Sequence, residues 1–318
     1  MIPVEHPHIF VAAVTHPGMK GKNNEDRYKV SAYQTGGDEG TPSLLLVISD
    51  GIGGHRAGEV AAEMAVNIIT QKVSEGDPGQ PLEVLRAAAA EASQSIAAQS
   101  EREDSQRGMG ATCVCAWIID DRLYVGSMGD SRLYLARGDA IRQLTVDHTW
   151  IQEAIEHGAL TPEQAADHPN AHVIRRYMGS DAPAELDLRL RLRDHEKNSQ
   201  SEAHQGLRLQ PGDRLLLCTD GLTDLVKDGE ILTVLQALPR EQALTKLVNM
   251  ANARGGHDNI TAILAEVPLS QAAETPKSGE WPAWALAAGC VGLLIITALL
   301  VASAILGWWF FSSAWPGS

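Results

Sequence analysis

Cysteines are few in this sequence, and none has the paired spacing of a metal or redox motif. Only four occur among 318 residues, and no two stand in a Cys-x-x-Cys arrangement. This argues against a structural zinc site and against a dithiol redox centre. Because Cys113, Cys115, Cys218 and Cys290 all lie in apolar stretches, we predict that they are reduced and buried.

Basic residues are scarce relative to acidic ones. The chain carries 26 lysines and arginines against 40 aspartates and glutamates, which gives a formal net charge of -14. An excess of carboxylates makes nonspecific attraction to nucleic acid or to anionic lipid unfavourable. We therefore expect no nucleic-acid partner, and we expect this chain to bind cations more readily than polyanions.

The two ends of the chain lack charge in different ways. The N-terminus has no basic segment before its short apolar run, and Glu5 precedes that run, so it does not resemble a signal peptide. The C-terminus has no charged residue from Trp281 to Ser318, and residues 283–311 read AWALAAGCVGLLIITALLVASAILGWWFF. About 20 apolar residues suffice to cross a bilayer, and tryptophans stand at both ends of this run.

This pattern predicts one transmembrane helix at residues 281–311, followed by a short tail at 312–318. A buried core helix is the alternative reading of the same run. Since no export signal precedes it, we expect a single-pass, C-terminally anchored protein whose catalytic part faces the cytoplasm. The preceding residues divide into a domain at 1–267 and a linker at 268–280.

Strands and helices are grouped along the predicted domain. Three strands are predicted before two alanine-rich helices, then four more strands, and later two helices and a last strand. A polar helical segment at 147–180 interrupts this order, a strand is predicted at 186–193, and a mobile loop at 194–206. Such grouping is typical of α+β proteins with antiparallel sheets.

Two apolar runs end in the same way. LLLVISDGIGG at 44–54 and LLLCTDGL at 215–222 each finish in Asp-Gly. One such ending is typical of a hairpin turn, because glycine tolerates positive φ and aspartate bonds its own backbone. Two of them indicate a shared purpose.

Several further acids stand where strands meet turns. The full set is Glu25, Asp26, Asp50, Asp130, Asp220 and Asp258. Carboxylates gathered at strand ends repel one another unless a cation lies between them, and oxygen ligands favour Mg²⁺ or Mn²⁺ over Zn²⁺. Gly51 fits this arrangement, because without a Cβ its carbonyl can approach an ion closely. Two bridged divalent ions would activate water for in-line attack on phosphorus, which predicts phosphomonoester hydrolysis.

The motifs around these acids resemble those of the metal-dependent protein phosphatases of the type 2C (PPM) group. They are NNED at 23–26, SDGIGGHRAGE at 49–59, GMGAT at 108–112, GDSRLY at 129–134, LTVDHT at 144–149, CTDGLTD at 218–224 and GGHDNIT at 255–261. The resemblance spans about residues 8–267 and follows the order of the family. It implies an αββα sandwich of two antiparallel sheets flanked by helices, with the metals in a cleft at one edge.

The resemblance also implies a metal-ligand set. Asp50 would bridge two Mn²⁺ or Mg²⁺ ions and Gly51 would offer its carbonyl. Glu25 would serve one ion, and Asp220 and Asp258 the other. Asp50, Asp220 and Asp258 would thus act in catalysis through a metal-bound water.

Other residues are implied around that set. Asp26 would lie in an outer shell, Asn259 would brace the site, and Asp130 would hold a third, weaker metal together with Asp220. Residues 147–180 would form a flap beside the cleft.

Two positions depart from the family pattern. Gly21 stands where members usually carry a phosphate-gripping arginine, which leaves Lys20 and Lys22 as candidates for phosphate contact. Ile52 replaces the histidine proposed as general acid in animal members, and His55 is more typical of a solvated surface residue.

Two histidines and two methionines have alternative interpretations. His148 and His172 lie in the flap segment, where they could contact substrate or simply face solvent. Met109 and Met128 are predicted to be core residues.

The resemblance favours a bacterial-type Ser/Thr protein phosphatase that acts on phosphoproteins and opposes a Ser/Thr kinase. A phosphoprotein-binding pseudophosphatase is one alternative, which the glycine at position 21 favours and the intact acids oppose. A metal-dependent hydrolase of small phosphoesters is another.

Overall fold

The computed structural model describes residues 1–21, 23–36, 40–53, 57–165, 168–170, 172–180, 185–194 and 196–269. In this part of the chain no helix combines the length and the apolar character needed to cross a membrane. The predicted transmembrane helix at 281–311 lies outside the described residues, as does Cys290. Residues Met1–Leu269 form one compact unit.

The strands of this unit are short and antiparallel. They are β1 Ile2–Pro3, β2 Phe10–His16, β3 Arg27–Gln34, β4 Pro42–Ser49, β5 Gly51–Ile52, β6 Gly110–Ala111, β7 Cys113–Ile119, β8 Arg122–Met128, β9 Arg132–Arg137, β10 Ala140–Gln143, β11 Leu207–Arg208, β12 Arg214–Cys218 and β13 Ile260–Glu266. In the described residues they form a first sheet in the order β1-β3-β4-β7-β8-β11, a second in the order β10-β9-β12-β13-β2, and a small β5-β6 pair.

The described residues contain eight helices. They are α1 Gly58–Glu75, α2 Pro81–Arg102, α3 Trp150–Glu156, α4 Pro162–Ala165, α5 Asn198–Glu202, α6 Asp220–Thr223, α7 Asp228–Ala237 and α8 Arg240–Ala253, with a 3₁₀ turn at Asp104–Gln106. Proline at the first position of α2 suits a helix start, because the missing N–H would have no helical partner there.

Strand β4 shows why the layers stack as they do. Its side chains alternate between two hydrophobic clusters, because successive residues of a strand point to opposite faces. Leu44, Leu46 and Ile48 pack against the second sheet. Leu45 and Val47 pack under α1 and α2. Both faces of the strand are therefore buried, which explains its unbroken apolar run.

The second sheet is covered in the same manner. Leu216 of β12 packs with Leu244 and Leu247 of α8 and with Ile231 of α7. The order of layers is therefore helix, sheet, sheet, helix, and the predicted α+β fold with two antiparallel sheets is confirmed.

Small predicted features of the core also agree with the structure. Met109 and Met128 are 1% and 0% exposed. Cys113, Cys115 and Cys218 are buried free thiols.

The predicted strand at 186–193 is wrong. Leu186, Leu188 and Leu190 are buried as an alternating strand would require. However, only Asp187 forms a bridge, to Ser127, among the described residues. The next backbone donors bond to loop carbonyls, since Leu190 donates to Ser201 and Arg191 to Leu144. The segment thus has the side-chain pattern of a strand without a neighbouring strand to pair with.

The loop predicted at 194–206 is partly wrong, because it contains the short helix α5. Residues 147–180 do form a mainly non-strand segment with α3 and α4. We call this segment the flap. Thr149 caps α3 by accepting a hydrogen bond from the Gln152 N–H at 3.3 Å. Met178 fixes the other end through two backbone hydrogen bonds with Ala111 of 3.0 and 2.8 Å.

Candidate metal centre

The sheet topology explains why distant acids meet at one edge. In antiparallel pairs the end of one strand lies beside the start of its neighbour. Ser49 at the end of β4 pairs with Arg27 at the start of β3, which brings Asp50 and Asp26 to the same edge. At the end of β12, Cys218 likewise pairs with Ala262 near the start of β13.

The same pairing holds on the other side of β12. Cys218 also lies opposite Arg132 at the start of β9. Asp220 follows β12, Asp130 precedes β9, and Asp258 precedes β13. The sheet therefore brings these three acids to the edge where Asp50 lies.

Thr112 holds Asp50 in place. Its Oγ1 accepts a hydrogen bond from the Asp50 N–H at 2.9 Å, and its own N–H donates to the Asp50 carbonyl at 2.8 Å. The Ser49 hydroxyl donates to the Thr112 carbonyl at 2.7 Å, and Thr112 Oγ1 lies 2.8 Å from Ser131 Oγ. The backbone of Asp50 is thus anchored from the strand pair β5-β6 and from the turn before β9.

Glu25 and Gly51 direct oxygen atoms to the same place. A Cβ on Gly58 would lie 2.6 Å from Glu25 Oε2 and 2.7 Å from the Gly51 carbonyl oxygen. Both oxygens therefore converge beside Gly58 at the start of α1. Carbonyl and carboxylate oxygens are the ligands that Mg²⁺ and Mn²⁺ prefer, so this arrangement fits a hard cation.

A hydrogen-bond network supports the loop that carries Glu25 and Asp26. Asn259 Oδ1 accepts the Glu25 N–H at 2.7 Å, and Asn259 Nδ2 donates to the Pro17 carbonyl at 3.1 Å. Thr219 Oγ1 donates to Asp26 Oδ2 at 3.0 Å. Asn259 and Asp26 therefore link the loop before β3 to the strands that carry Asp220 and Asp258.

The carboxyl groups raise one another's pKa. Burial raises the pKa of Asp50 well above its ordinary value, and the neighbouring Asp26, Asp220, Asp130 and Asp258 raise it further. Burial, assisted by Asp220 and Asp258, raises the pKa of Asp26 to about 7 against the hydrogen bonds from threonines. Such groups ionise together only when a cation compensates their charge.

Asp220 and Asp130 also have raised pKa values. Burial, with Asp224 and Asp258, raises the pKa of Asp220 to about 6. Burial and then Asp220 raise the pKa of Asp130 well above its ordinary value.

Two carboxylate oxygens of this cluster have no hydrogen-bond partner. Asp26 Oδ1 and Asp220 Oδ1 are inaccessible to solvent and accept no hydrogen bond from any described residue. An unsatisfied buried oxygen is costly unless another group compensates for it. The donor set therefore fits divalent cations held by oxygen.

The structure brings further residues close to these acids, and none of them was predicted from the ends of strands. One ligand atom from each of His172, Asp220 and Asp224 lies within 4.8 Å of the others. Asp147 receives hydrogen bonds from Arg132, the shortest of 2.7 Å. Asp147 and Asp224 belong to the quoted motifs LTVDHT and CTDGLTD, and that membership is the signal that could have identified them.

The two flap histidines differ in their surroundings. The surface interpretation of His148 is wrong, because its side chain is 5% exposed and its Nε2 lies 2.9 Å from Asp187 Oδ2. His172 is 69% exposed, and its Nδ1 lies 3.3 Å from Asp224 Oδ2.

Of the two predicted phosphate contacts, only Lys20 belongs to the described residues. Lys20 is exposed, and Gly21 adopts a positive φ of 68°. Lys22 and His55 lie outside the described residues. Ile52, which replaces the histidine of animal members, is partly buried in β5.

Comparison with known proteins identifies the family of this chain. The Protein phosphatase 2C family model matches residues 18–265. The serine/threonine protein phosphatase PstP of Mycobacterium tuberculosis is 34% identical over 257 residues, which is 80% of this chain and 44% of that protein. This chain thus spans less than half the length of that relative. The serine/threonine phosphatase stp of Listeria innocua is 32% identical over 71% of this chain and 86% of its own length.

A solved structure of the catalytic domain of PstP in complex with two manganese ions shares the fold. It is 32% identical, has a TM-score of 0.63, and matches 81% of this chain and 97% of that chain. With the sheet order, the acid cluster and the family match in agreement, the chain belongs to the protein phosphatase 2C family.

Proposed function

We propose that this chain hydrolyses phosphoserine and phosphothreonine in proteins with two Mn²⁺ or Mg²⁺ ions. The observation that carries the proposal is the cluster of buried acids at one sheet edge, in which Oδ1 of the proposed ligand Asp220 has no partner among the described residues. Membership of the protein phosphatase 2C family supports the reaction class.

Each acid has a proposed place in the centre. Asp50 would bridge the two ions, Glu25 and the Gly51 carbonyl would hold one of them, and Asp220 and Asp258 would hold the other. When bound, the ions would supply a nucleophile from water at neutral pH and neutralise charge on the phosphate. Asp130 together with Asp220 would hold a third, weaker ion.

The surrounding residues orient these ligands. Thr112 fixes the backbone of Asp50, and Asn259 fixes the backbone of Glu25. Asp26, held by Thr219, would lie in an outer shell beside the ligands. Outer partners of this kind fix the direction in which a ligand oxygen points.

The phosphate group needs a cation from the protein, and Gly21 cannot supply one. We assign this contact to Lys20 and Lys22. An ammonium forms a point contact, whereas a guanidinium would grip two oxygens, so phosphate binding is weaker than in members with arginine. This departure is the observation that favours the second candidate, a pseudophosphatase that binds phosphoproteins without turnover.

The rest of the chain sets where the domain acts. We propose that residues 1–267 form the phosphatase domain, 268–280 a linker, and 281–311 a transmembrane helix that holds the domain on the cytoplasmic side of a membrane. The charge-free run after Trp281 supports this. A Ser/Thr kinase in the same compartment would supply its substrates.

Turnover of a phosphothreonine peptide and of para-nitrophenyl phosphate tests the function. We expect hydrolysis with Mn²⁺, none with EDTA, and none in Asp220→Asn. Asp139→Asn, in the exposed turn between β9 and β10, should retain full activity. A folded, Mn²⁺-loaded chain that hydrolyses neither compound would favour the pseudophosphatase. Hydrolysis of only the small ester would favour a small-phosphoester hydrolase.

A further inference from the structure

A buried histidine lies directly behind the metal centre. His148 Nε2 is 2.9 Å from Asp187 Oδ2, and its Nδ1 is 3.1 Å from both the nitrogen and the carbonyl oxygen of Gly129. The His148 N–H also donates to the Gly129 carbonyl at 2.9 Å. Gly129 precedes Asp130, so this side chain contacts the turn that carries an acid of the cluster.

Asp187 is held as an ionised partner. Its Oδ2 accepts a hydrogen bond from Arg189 Nε at 2.7 Å, and its Oδ1 accepts the Arg189 backbone N–H at 2.8 Å. Burial would raise the pKa of Asp187, but the hydrogen bonds from His148 and Arg189 outweigh burial and lower it. Backbone hydrogen bonds of 2.9 Å in both directions with Ser127 fix Asp187 beside the end of β8.

These partners determine which imidazole nitrogen carries the proton. An ionised carboxylate only accepts, so Nε2 of His148 must be the protonated nitrogen that faces Asp187. With Nε2 as the donor to Asp187, the lone pair of Nδ1 can accept the N–H of Gly129. A carboxylate that fixes a histidine tautomer in this way also fixes the direction of the ring.

Gly129 links the fixed ring of His148 to the positions of Asp50 and Asp130. It adopts a φ of 104°, and a Cβ at this position would lie 2.6 Å from Thr112 Cγ2. Thr112 is the residue that accepts the Asp50 N–H. Gly129 thus lies between His148 and Thr112, with Asp130 as the next residue of the chain.

We propose that His148, held by Asp187, is a positioning residue that fixes the Gly129–Asp130 turn and thereby directs Asp130 toward the metal centre. The inference rests on the proposed function only in assuming that Asp130 is a metal ligand. In this position His148 would affect metal binding, whereas an ordinary core histidine would affect stability alone.

Metal binding by the full chain tests the proposal without turnover. After EDTA treatment, Mn²⁺ is titrated by calorimetry into the wild type, His148→Phe and His148→Asn. We expect His148→Phe to weaken the lowest-affinity ion about tenfold, because loss of an outer partner typically costs at least that much. His148→Asn should retain most of the affinity, because its amide oxygen can replace Nδ1 as the acceptor for Gly129.

Asp213→Asn is the matched control. Asp213 is a buried carboxylate paired with Arg137 at 2.6 Å, so its loss affects stability without touching the Gly129–Asp130 turn. Mn²⁺ binding of this control should equal that of the wild type. An unchanged isotherm in His148→Phe would overturn the proposal and leave His148 with a structural function only.

A second measurement needs no variant. Long-range ¹H–¹⁵N spectra of the wild type should show His148 protonated at Nε2 and unprotonated at Nδ1. A proton on Nδ1 would contradict the proposal, because the ring would then donate to the Gly129 carbonyl instead of accepting the Gly129 N–H. Failure of the proposed function would appear separately, as a chain with normal Mn²⁺ binding and no turnover.

Discussion

Gly58 illustrates how a single residue can be required by its neighbours. It begins α1, a position where alanine would ordinarily favour the helix. A side chain there would meet Glu25 Oε2 and the Gly51 carbonyl. We infer that glycine stands at this position because two oxygens of the candidate metal centre occupy the space.

Replacing Gly58 by alanine should therefore destabilise the chain by about 1–3 kcal/mol, as overpacking does. It should also weaken Mn²⁺ binding, because Glu25 must move. Gly229 in the first turn of α7 is the control, since no described atom lies within 4 Å of its hypothetical Cβ. Gly229→Ala should stabilise the chain by about 0.5–1 kcal/mol. Denaturant unfolding of both variants measures these changes in stability. Equal effects would contradict the inference that a side chain at position 58 meets two oxygens of the metal centre.

The acid cluster predicts an unusual pH dependence for the metal-free chain. An unfolded aspartate has a pKa near 4, whereas burial raises the pKa of Asp26 to about 7 and that of Asp220 to about 6. Between these values the folded chain holds protons that the unfolded chain has released. Stability must then fall as pH rises from about 4 to about 7.

Unfolding in EDTA at several pH values measures this effect. Each kcal/mol lost should lower Tm by roughly 2–4 °C in a domain of this size. Mn²⁺ should remove the slope, because it stabilises the ionised acids. Asp26→Asn should have a shallower slope than the wild type. A metal-free chain that gains stability toward pH 8 would show that these acids do not share one buried site.

The strand-end acids could be predicted from sequence because antiparallel pairing makes such positions neighbours. Asp147 and Asp224 could not be predicted in this way, since neither directly follows an apolar run, and only their place in the motifs LTVDHT and CTDGLTD could have identified them. The buried state of His148 could not be predicted either, because it depends on Asp187, which is 39 residues away. Residues that act through a distant partner leave no local pattern.

At the scale of elements, the flap contacts the body through both buried and exposed side chains, such as those of His148 and His172. Met178 pairs with Ala111 of β6, whereas Thr149 pairs with Ile174 inside the flap. Between them, His172 forms an ion pair with Asp224, and both side chains are substantially exposed. Such exposed pairs contribute little to stability, so this contact affects the position of the flap more than the fold.

His172→Ala should therefore leave Tm unchanged while it raises KM for a phosphopeptide. KM for para-nitrophenyl phosphate should change less, because that compound has no peptide chain for the flap to contact. His157→Ala is the control, since His157 lies in the same segment and bonds only to the carbonyl of Glu153 among the described residues. Equal changes in KM for both compounds would contradict a flap contact with the peptide.

The elements themselves were predictable where one physical signal dominated. β4 and β12 follow from long apolar runs, and α1 and α2 from helix-forming residues with buried alanines. The strand at residues 186–193 was wrongly predicted because alternation indicates which side chains are buried and does not indicate whether a neighbouring strand is present.

At the scale of the whole molecule, Met1–Leu269 contains all three described hydrophobic clusters and forms a compact unit. The layered fold is predictable because the grouping of strands and helices leaves few ways to bury both sheet faces. A compact unit with its own core should fold when the chain ends at Leu269.

The proposed anchor predicts a difference between that shortened chain and the full one. Mixed with liposomes during synthesis, the full chain should float with lipid and resist alkaline extraction, whereas the shortened chain should remain in the aqueous fraction. Leu294→Arg should reduce insertion, because arginine at the centre of a span costs about 2.5–3.5 kcal/mol. Gln271→Arg, in the linker, should have no effect. If the full and shortened chains distribute alike, residues 281–311 do not span a bilayer, and the domain must reach its substrates without an anchor.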